Sequence, residues 1–137
     1  MAPGELGNAK GDKAECLAER LLDFAVRAGK VADALPQTRL GRHVAGQLVR
    51  CGTSPAPNYE EARAAESRAD FVHKMRICLK ELRESLCWLR LIGKGGLLPE
   101  CQVRPLIEEA TQLASIFGQS IVTARQGSAN TKHKDNR

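Results

Sequence analysis

The sequence predicts an all-α protein, an antiparallel up-down-up-down four-helix bundle that occupies residues 14–124 of the 137. Apolar residues recur three and four positions apart in four segments, which is the spacing of one face of an α-helix. Aromatic residues make up only 4% of the chain, and no segment alternates in polarity as a half-buried strand does. Short segments with proline or glycine separate the helices, so we expect neighbouring helices to run in opposite directions.

The first helix is predicted over residues 14–35, after a polar, glycine-rich segment of 13 residues that we expect to be disordered. Its inward residues are Leu17, Leu21, Phe24, Ala28, Val31 and Leu35, beside an alanine seam of Ala18, Ala25 and Ala32. Leu22 and Val26 fall on the outer side. They are either a self-association surface or ordinary exposed apolar residues.

Pro36 ends the first helix, and the second is predicted over residues 38–50, with Leu40, Val44 and Leu48 facing inward. The following run, GTSPAPNYEEA, places Ser54 before a proline. We interpret Ser54 as an N-cap and Pro55 as the first helical residue of a kinked continuation to about residue 65.

The third helix is predicted to begin after Ser67, whose side chain would accept from the amide of Asp70, and to end near residue 92. Its inward stripe, which only Ser85 interrupts, consists of Phe71, Met75, Cys78, Leu82, Leu89 and Ile92. The opposite side carries the basic row, defined here as His73, Arg76, Lys80, Arg83, Arg90 and Lys94. Ile77 and Leu91 lie beside the stripe and, with Leu22 and Val26, are candidate oligomer contacts.

The last helix allows two interpretations, because Pro105 follows Pro99 by six residues. Either a short turn precedes a helix that starts at Pro105, or a helix from Pro99 kinks there. Its predicted inward face is Leu106, Ala110, Leu113, Phe117 and Ile121. We expect helical structure to fade after Arg125 into a disordered tail over residues 125–137, which contains four basic residues and one acidic residue, more than half of the net charge of +5.

No catalytic or metal-binding constellation is found in the sequence. The five cysteines stand singly, and no two of the three histidines are four residues apart, so we predict no metal site, no cofactor and no enzymatic activity. Unpaired cysteines without metal spacing favour a reducing compartment. With no signal-peptide core and no apolar stretch of membrane-spanning length, the sequence predicts a cytoplasmic protein with no membrane partner.

Two polar features remain to be explained. Glu81 adjoins the inward stripe of the third helix, where it is either a partly buried carboxylate paired with a cation or an exposed rim charge. Arg50, Arg63 or Arg68 would supply the cation, and Arg50 and Glu81 are the candidate buried polar residues. The basic row is either a surface that follows the phosphates of RNA or DNA by charge, or a solvated face whose charge Glu84 offsets.

The run from Gln47 to Leu91, QLVRCGTSPAPNYEEARAAESRADFVHKMRICLKELRESLCWLRL, resembles the four helix bundle protein family, whose members are also described as proteins encoded in intervening sequences of bacterial large-subunit ribosomal RNA genes. The matching elements are the R-x-G-T-S turn from Arg50, Asn58-Tyr59, the segment from Ser67 to Met75, Glu81, Glu84 and Trp88-Leu89. Pro55 and Pro57 depart from the small residues expected of the family.

The resemblance implies a homopentamer without known enzymatic activity. A distant similarity to the accessory variability determinant of diversity-generating retroelements implies binding to nucleic acid and to a reverse transcriptase. We therefore expect a non-enzymatic oligomer that binds RNA or another nucleic acid through the basic row. The second hypothesis is a protein-interaction scaffold with no nucleic-acid role.

Overall fold

The described part of the chain forms five α-helices: α1 (Ala9–Ala34), α2 (Arg39–Thr53), α3 (Pro55–Arg63), α4 (Arg68–Lys94) and α5 (Glu100–Asp135). The computed structural model describes the backbone of residues 9–135 and the side chains of residues 11–127. No strand occurs between residues 9 and 135. Because α2 and α3 follow each other almost without a break, the helices form four rods, and the predicted all-α four-helix class is confirmed.

The four rods enclose a single core. Among the described residues α1 contacts α2, α3 and α5, and α4 contacts the same three helices, whereas α1 and α4 make no contact with each other. The two rods therefore lie at opposite corners of the bundle. Leucine and phenylalanine side chains fill the space between the rods, and the largest that are completely buried are Leu21, Phe24, Leu48, Leu82, Leu89, Leu113 and Phe117.

The first helix starts earlier than predicted. Residues 9–13 belong to α1, so the expectation of disorder over residues 1–13 is wrong for them, while residues 1–8 lie outside the described part. Alanine and lysine in this segment favour helix formation. The inward row is otherwise as predicted, with Leu21, Phe24 and Ala28 completely buried.

Gly41, rather than Leu40, faces the core at the start of α2. Leu40 is 47% exposed, which makes its predicted inward position wrong. Thr38 caps the helix by accepting a hydrogen bond from the amide of Gly41 at 3.0 Å. The carbonyl of Pro36 lies so close that a Cβ on Gly41 would stand 2.0 Å from its oxygen. This tight return of the chain turns Leu40 outward.

Ser54 joins α2 to α3 in helical conformation, with φ −73° and ψ −38°. Its side chain makes no cap hydrogen bond, so the predicted N-cap is wrong, whereas Pro55 at the start of α3 and the continuation of the rod are confirmed. The side-chain amide nitrogen of Asn58, Nδ2, donates to the backbone carbonyl of Ser54 at 2.9 Å and to the Ser54 hydroxyl at 3.0 Å. Asn58 thereby fixes the junction from within the next turn.

Ser85 continues the inward stripe of α4 instead of interrupting it. Its side chain is completely buried, and its hydroxyl donates to the Glu81 carbonyl at 2.8 Å and lies 3.2 Å from the Cys51 sulfur. The predicted cap is confirmed, because Ser67 accepts from the Asp70 amide at 3.1 Å. The helix ends at Lys94, two residues later than predicted, and Gly96 then adopts a φ of +66°.

The last helix is continuous through Pro105. It starts at Glu100, which agrees with the interpretation of a helix that begins at Pro99 rather than at Pro105. It runs to Asp135, so the expected disordered tail is wrong for residues 125–135, and residues 136–137 lie outside the described part. The segment after Arg125 has no proline and contains alanine, glutamine and lysine, which sustain a helix.

Candidate nucleic-acid interface

All six members of the basic row are exposed on α4. They follow one another at intervals of three, four or seven residues, so they share the side of the helix that faces away from the core. From His73 to Lys94 the row extends about 30 Å at the rise of an α-helix. A line of positive charge of this length suits an extended polyanion better than a single small anion.

None of the lysines and arginines of the basic row forms a salt bridge with any described residue. Some other basic residues of the protein do. Arg20 pairs with Glu109 at 2.5 Å, and Lys74, on the flank of α4 towards α3, pairs with Glu61 at 2.6 Å. Within the described part of the chain the row is therefore unpaired along its whole length, although single basic residues elsewhere, such as Lys13 and Lys30, are also unpaired.

Two carboxylates of α4, Glu81 and Glu84, are bound to an arginine of α2. Arg50 donates to both oxygens of Glu84, at 2.6 Å and 2.5 Å, and to Glu81 at 3.3 Å. The hydrogen bond from Arg50 lowers the pKa of Glu84 and raises that of Arg50 itself. Both carboxylates are thus directed at Arg50, although Lys80 also lies close enough to contribute to the lowered pKa of Glu84.

The cation that pairs with Glu81 is thus Arg50, while Arg63 pairs with Glu15 and Glu60. The side chain of Glu81 is 15% exposed, but that of Arg50 is 51% exposed. Arg50 is therefore not buried, contrary to its assignment as a buried polar residue. The contact is a half-exposed salt bridge at the edge of the interface between α2 and α4. The long arginine side chain reaches over the helix surface to the carboxylates.

A groove of about 590 Å³ lies at the carboxyl-terminal end of the basic row. Three members of the row line it, Arg83, Arg90 and Lys94, and its apolar wall comes from Leu40, Leu86 and Leu91. This half of the row therefore combines positive charge with apolar surface, which a sequence pattern for α4 alone does not show because Leu40 comes from α2.

A cleft of about 290 Å³ lies at the other end of the row, where the start of α4 meets α5. His73 and Arg76 line it together with two residues outside the row, Arg68 and Arg125. Sequence reasoning missed both, because it considered Arg68 only as a partner for Glu81 and assigned Arg125 to a disordered tail. The sequence shows that both residues are positively charged. It does not show that they lie close together, because their proximity depends on the packing of α4 against α5.

Aromatic stacking does not contribute to this surface, because none of the five aromatic residues of the chain is exposed. Tyr59 is buried and packs edge-on against Phe117, with ring centroids 5.6 Å apart. Trp88 is half-buried between α2 and α4, edge-on to His43 at 5.9 Å. Its indole nitrogen is buried and has no hydrogen-bond partner among the residues that the structure describes. Any contact with nucleic acid would depend on charge and shape.

The four candidate oligomer contacts differ in exposure. Leu22 is 51% and Val26 57% exposed on α1, whereas Ile77 and Leu91 are half-buried on α4. Leu91 lines the groove with Leu40. The two α1 residues thus form a distinct apolar strip on a side of the bundle that none of the other helices covers.

Two of the five thiols are buried, Cys51 and Cys78, and the other three are exposed. Burial raises the pKa of Cys51 to about 11 and that of Cys78 to about 12. Among the described residues no three histidine, cysteine or acidic side chains are grouped as metal ligands would be. Within that part of the chain no helix has the length and apolarity needed to cross a membrane.

Comparison with known proteins identifies a family and a solved structure that resembles this chain. Residues 13–119 match the model of the family described as 23S rRNA-intervening sequence protein. A solved structure of a protein of unknown function, from the S23 ribosomal protein family of Bacteroides thetaiotaomicron, is 30% identical and superposes with a TM-score of 0.72. The similarity covers 77% of this chain and 97% of that one. No curated protein matches the chain.

Proposed function

The chain belongs to the 23S rRNA-intervening sequence protein family, and from this premise we propose that it is a cytoplasmic, non-enzymatic bundle that binds RNA through the basic row. The observation that carries the proposal is the absence of intramolecular ion pairs along the row within the described residues. Unpaired positive charges along one helix attract a phosphate backbone and release its counterions when it binds.

The bridge from Arg50 supports this proposal. Glu81 and Glu84 lie on the same helix as the row and would reduce its positive potential if their carboxylates were free to reach it. Their hydrogen bonds to Arg50 direct them towards α2 instead. The names of the family and of the structural relative, which refer to 23S rRNA and to a ribosomal protein, agree with RNA as the partner.

The finer architecture that we propose is an antiparallel up-down-up-down bundle. Contacts between α4 and α5 support it: Gly93 lies against Val103, whereas Arg68 lies against Gly127. Residue numbers therefore fall along α5 as they rise along α4. The same relation holds for the first two rods, where Ala28 contacts Gly52 and Glu15 pairs with Arg63.

We further propose that copies of the chain assemble through the apolar strip of Leu22 and Val26, with the homopentamer suggested by the family resemblance as the expected form. Assembly would place several basic rows on one particle. An RNA strand that contacts two rows at once binds more tightly than one row allows, because the second contact forms at a high effective concentration.

Salt-dependent RNA binding tests the function. The parent and an R76E/R83E variant are compared by fluorescence anisotropy on a labelled single-stranded RNA across a salt series. We expect the variant to bind much more weakly, and the slope of log affinity against log salt to fall by about 0.7 for each lost phosphate contact. A matched control is K13E/K30E, which reverses two exposed lysines of α1.

Two results would contradict the proposal. One is affinity that does not change with salt concentration, since a charge-led contact must weaken as ions screen it. The other is an equal loss of affinity in R76E/R83E and K13E/K30E, because net charge alone, and not the basic row, would then account for binding.

A second candidate function is a protein-interaction module, and the groove at the end of the row favours it. Leu40, Leu86 and Leu91 offer an apolar wall beside the cations, which suits an amphipathic acidic segment of a protein such as a reverse transcriptase. Material that copurifies distinguishes the candidates. Nuclease-sensitive material supports RNA, whereas a stoichiometric polypeptide that nuclease treatment leaves in place supports the protein partner.

A further inference from the structure

We propose that the cleft between α4 and α5 binds a phosphomonoester, and that its source is the terminal phosphate of an RNA strand lying along the basic row. The inference rests on the proposed function, because it assigns one end of that RNA to a particular place. A free nucleotide offers the same chemistry, so the experiment below separates the two sources.

The cleft brings together basic side chains from two helices. Arg68, His73 and Arg76 come from the first three turns of α4, and Arg125 comes from α5. The rest of the lining is apolar, with Val72 and Ala124 on either side of the helix contact. At the other end of the row Arg90 and Lys94 also meet an arginine of α5, Arg104, but two carboxylates line that cleft with them.

No described carboxylate lines the cleft. The guanidinium groups of Arg68, Arg76 and Arg125 form no salt bridge with any residue between 11 and 127. Arginine stays charged at all ordinary pH values and presents a planar fork of donors that matches phosphate oxygens. Three such forks that converge without an acidic partner are suited to an anion with several acceptor oxygens.

Charge distinguishes a strand end from the middle of a strand. An internal phosphodiester carries one negative charge, whereas a phosphomonoester carries about −1.5 to −2 at pH 7 and has three strongly accepting oxygens. The cleft also lies where α4 begins, so no residue of that helix extends the row beyond Arg68. An RNA strand that follows the row therefore reaches the cleft at its end.

The test compares RNA strands of one sequence that differ only at their ends. A labelled 12-nucleotide RNA is prepared with hydroxyl groups at both ends, with a 5′-phosphate or with a 3′-phosphate, and its affinity for the full chain is measured at fixed salt. We expect at least one phosphorylated strand to bind about tenfold more tightly than the hydroxyl strand, the gain of one charge-assisted contact. Equal affinities for all three strands would overturn the inference while leaving the proposed function intact.

Two variants locate the effect. In R125Q the preference for the phosphorylated strand should disappear, with the affinity for the hydroxyl strand changed little. The matched variant R83Q, which lies on the row outside the cleft, should weaken all strands while leaving their ratio unchanged. Circular dichroism confirms that both variants fold, and a preference that survives in R125Q and in R68Q contradicts the assignment.

Adenosine monophosphate distinguishes the two sources of the phosphomonoester. If the cleft receives a strand end, the nucleotide should remove the preference only at concentrations far above the dissociation constant of the phosphorylated RNA. If it binds as tightly as that RNA, the site belongs to a free nucleotide, and the assignment to an RNA end is wrong. A chain that binds no RNA at all refutes the proposed function as well.

Discussion

Arg50 on α2 holds both carboxylate oxygens of Glu84 on α4, with its Nη2 atom 2.6 Å from Oε1 and 2.5 Å from Oε2. A third contact, of 3.3 Å, joins Arg50 to Glu81. The arginine therefore determines where two negative charges of α4 point, and it does so without belonging to the basic row. Arg50 links the packing of α2 against α4 to the potential of the proposed RNA surface.

Loss of Arg50 should weaken RNA binding although Arg50 itself makes no proposed contact with RNA. In R50Q the carboxylates of Glu81 and Glu84 are released towards Lys80 and Arg83, which lowers the local positive potential. The R50Q/E84Q variant has the net charge of the parent and should regain most of the affinity. Anisotropy titrations at low salt measure both, and equal affinities of R50Q and R50Q/E84Q would contradict this role.

Acid should remove the contribution that Glu84 makes to stability. The hydrogen bond from Arg50 lowers the pKa of Glu84 from its ordinary value of 4.5, so the folded chain releases this proton more readily than the unfolded chain. The stabilisation is therefore present above about pH 4.5 and is lost as the pH falls through the lowered pKa. We expect E84Q to melt a few degrees below the parent at pH 7. At pH 3 the difference in Tm should be smaller, and a constant difference would argue against the ion pair.

A methyl group at Gly52 should separate α1 from α2. A Cβ there would lie 2.6 Å from the Cβ of Ala28, too close for two carbon atoms. We expect G52A to lower the free energy of unfolding by about 1–3 kcal/mol, as overpacking does. The control G46A, at a glycine of the same helix with open space around it, should raise it by about 0.5–1 kcal/mol.

Urea denaturation measures these differences in stability. The A28G/G52A variant tests the cause, since removal of the opposing methyl group should restore part of the stability lost in G52A. The loss of unfolding free energy in the double variant should be smaller than the sum of the losses in A28G and G52A. If it equals that sum, the close approach of Ala28 and Gly52 is not the source of the loss.

Three of the five thiols should react in the folded protein. Cys16, Cys87 and Cys101 are exposed, whereas Cys51 and Cys78 are buried and have pKa values raised to about 11 and about 12. A thiol reagent attacks the thiolate, so the buried pair should stay unreactive at neutral and mildly alkaline pH. Titration with Ellman's reagent at pH 8 should count three thiols in buffer and five in guanidinium chloride. Rapid reaction of all five in buffer would contradict the burial of this pair.

A charge placed in the apolar strip of α1 should prevent self-association. Leu22 and Val26 are more than half exposed, so L22D and V26D leave the core intact while they oppose burial between copies. Light scattering should give a larger mass for the parent than for either variant. V122D, which changes an exposed valine of α5, is the matched control. A parent that is strictly monomeric at micromolar concentration would refute the role of the strip.

The helical class and most of the core follow from the sequence because apolar spacing reflects burial directly. Leu21, Phe24 and Leu82 occupy the positions that a three-and-four rhythm predicts. The rhythm fails where a backbone contact decides the register, as at Gly41, whose close approach to Pro36 turns Leu40 outward. It also fails at Ser85, because a small hydroxyl is buried only when neighbouring groups, here a carbonyl and the sulfur of Cys51, accept or contact it.

The candidate site was predictable only where it belongs to one helix. The basic row is a local pattern on α4, and all six of its residues are exposed as expected. The cleft is not a local pattern, because Arg68 and Arg125 lie far apart in the sequence, on α4 and α5. They meet only because α5 continues as a helix beyond the point where disorder was expected. The direction of the Glu84 carboxylate likewise depends on Arg50, which lies on another rod.

Trp88 is the only tryptophan of the chain, and it lies at the contact between α2 and α4 with its ring edge against His43. Its intrinsic fluorescence therefore reports on the contact between α2 and α4 without any attached dye. A ligand that changes the emission alters the surroundings of Trp88 at this contact, whereas a ligand that leaves the emission constant binds without disturbing it.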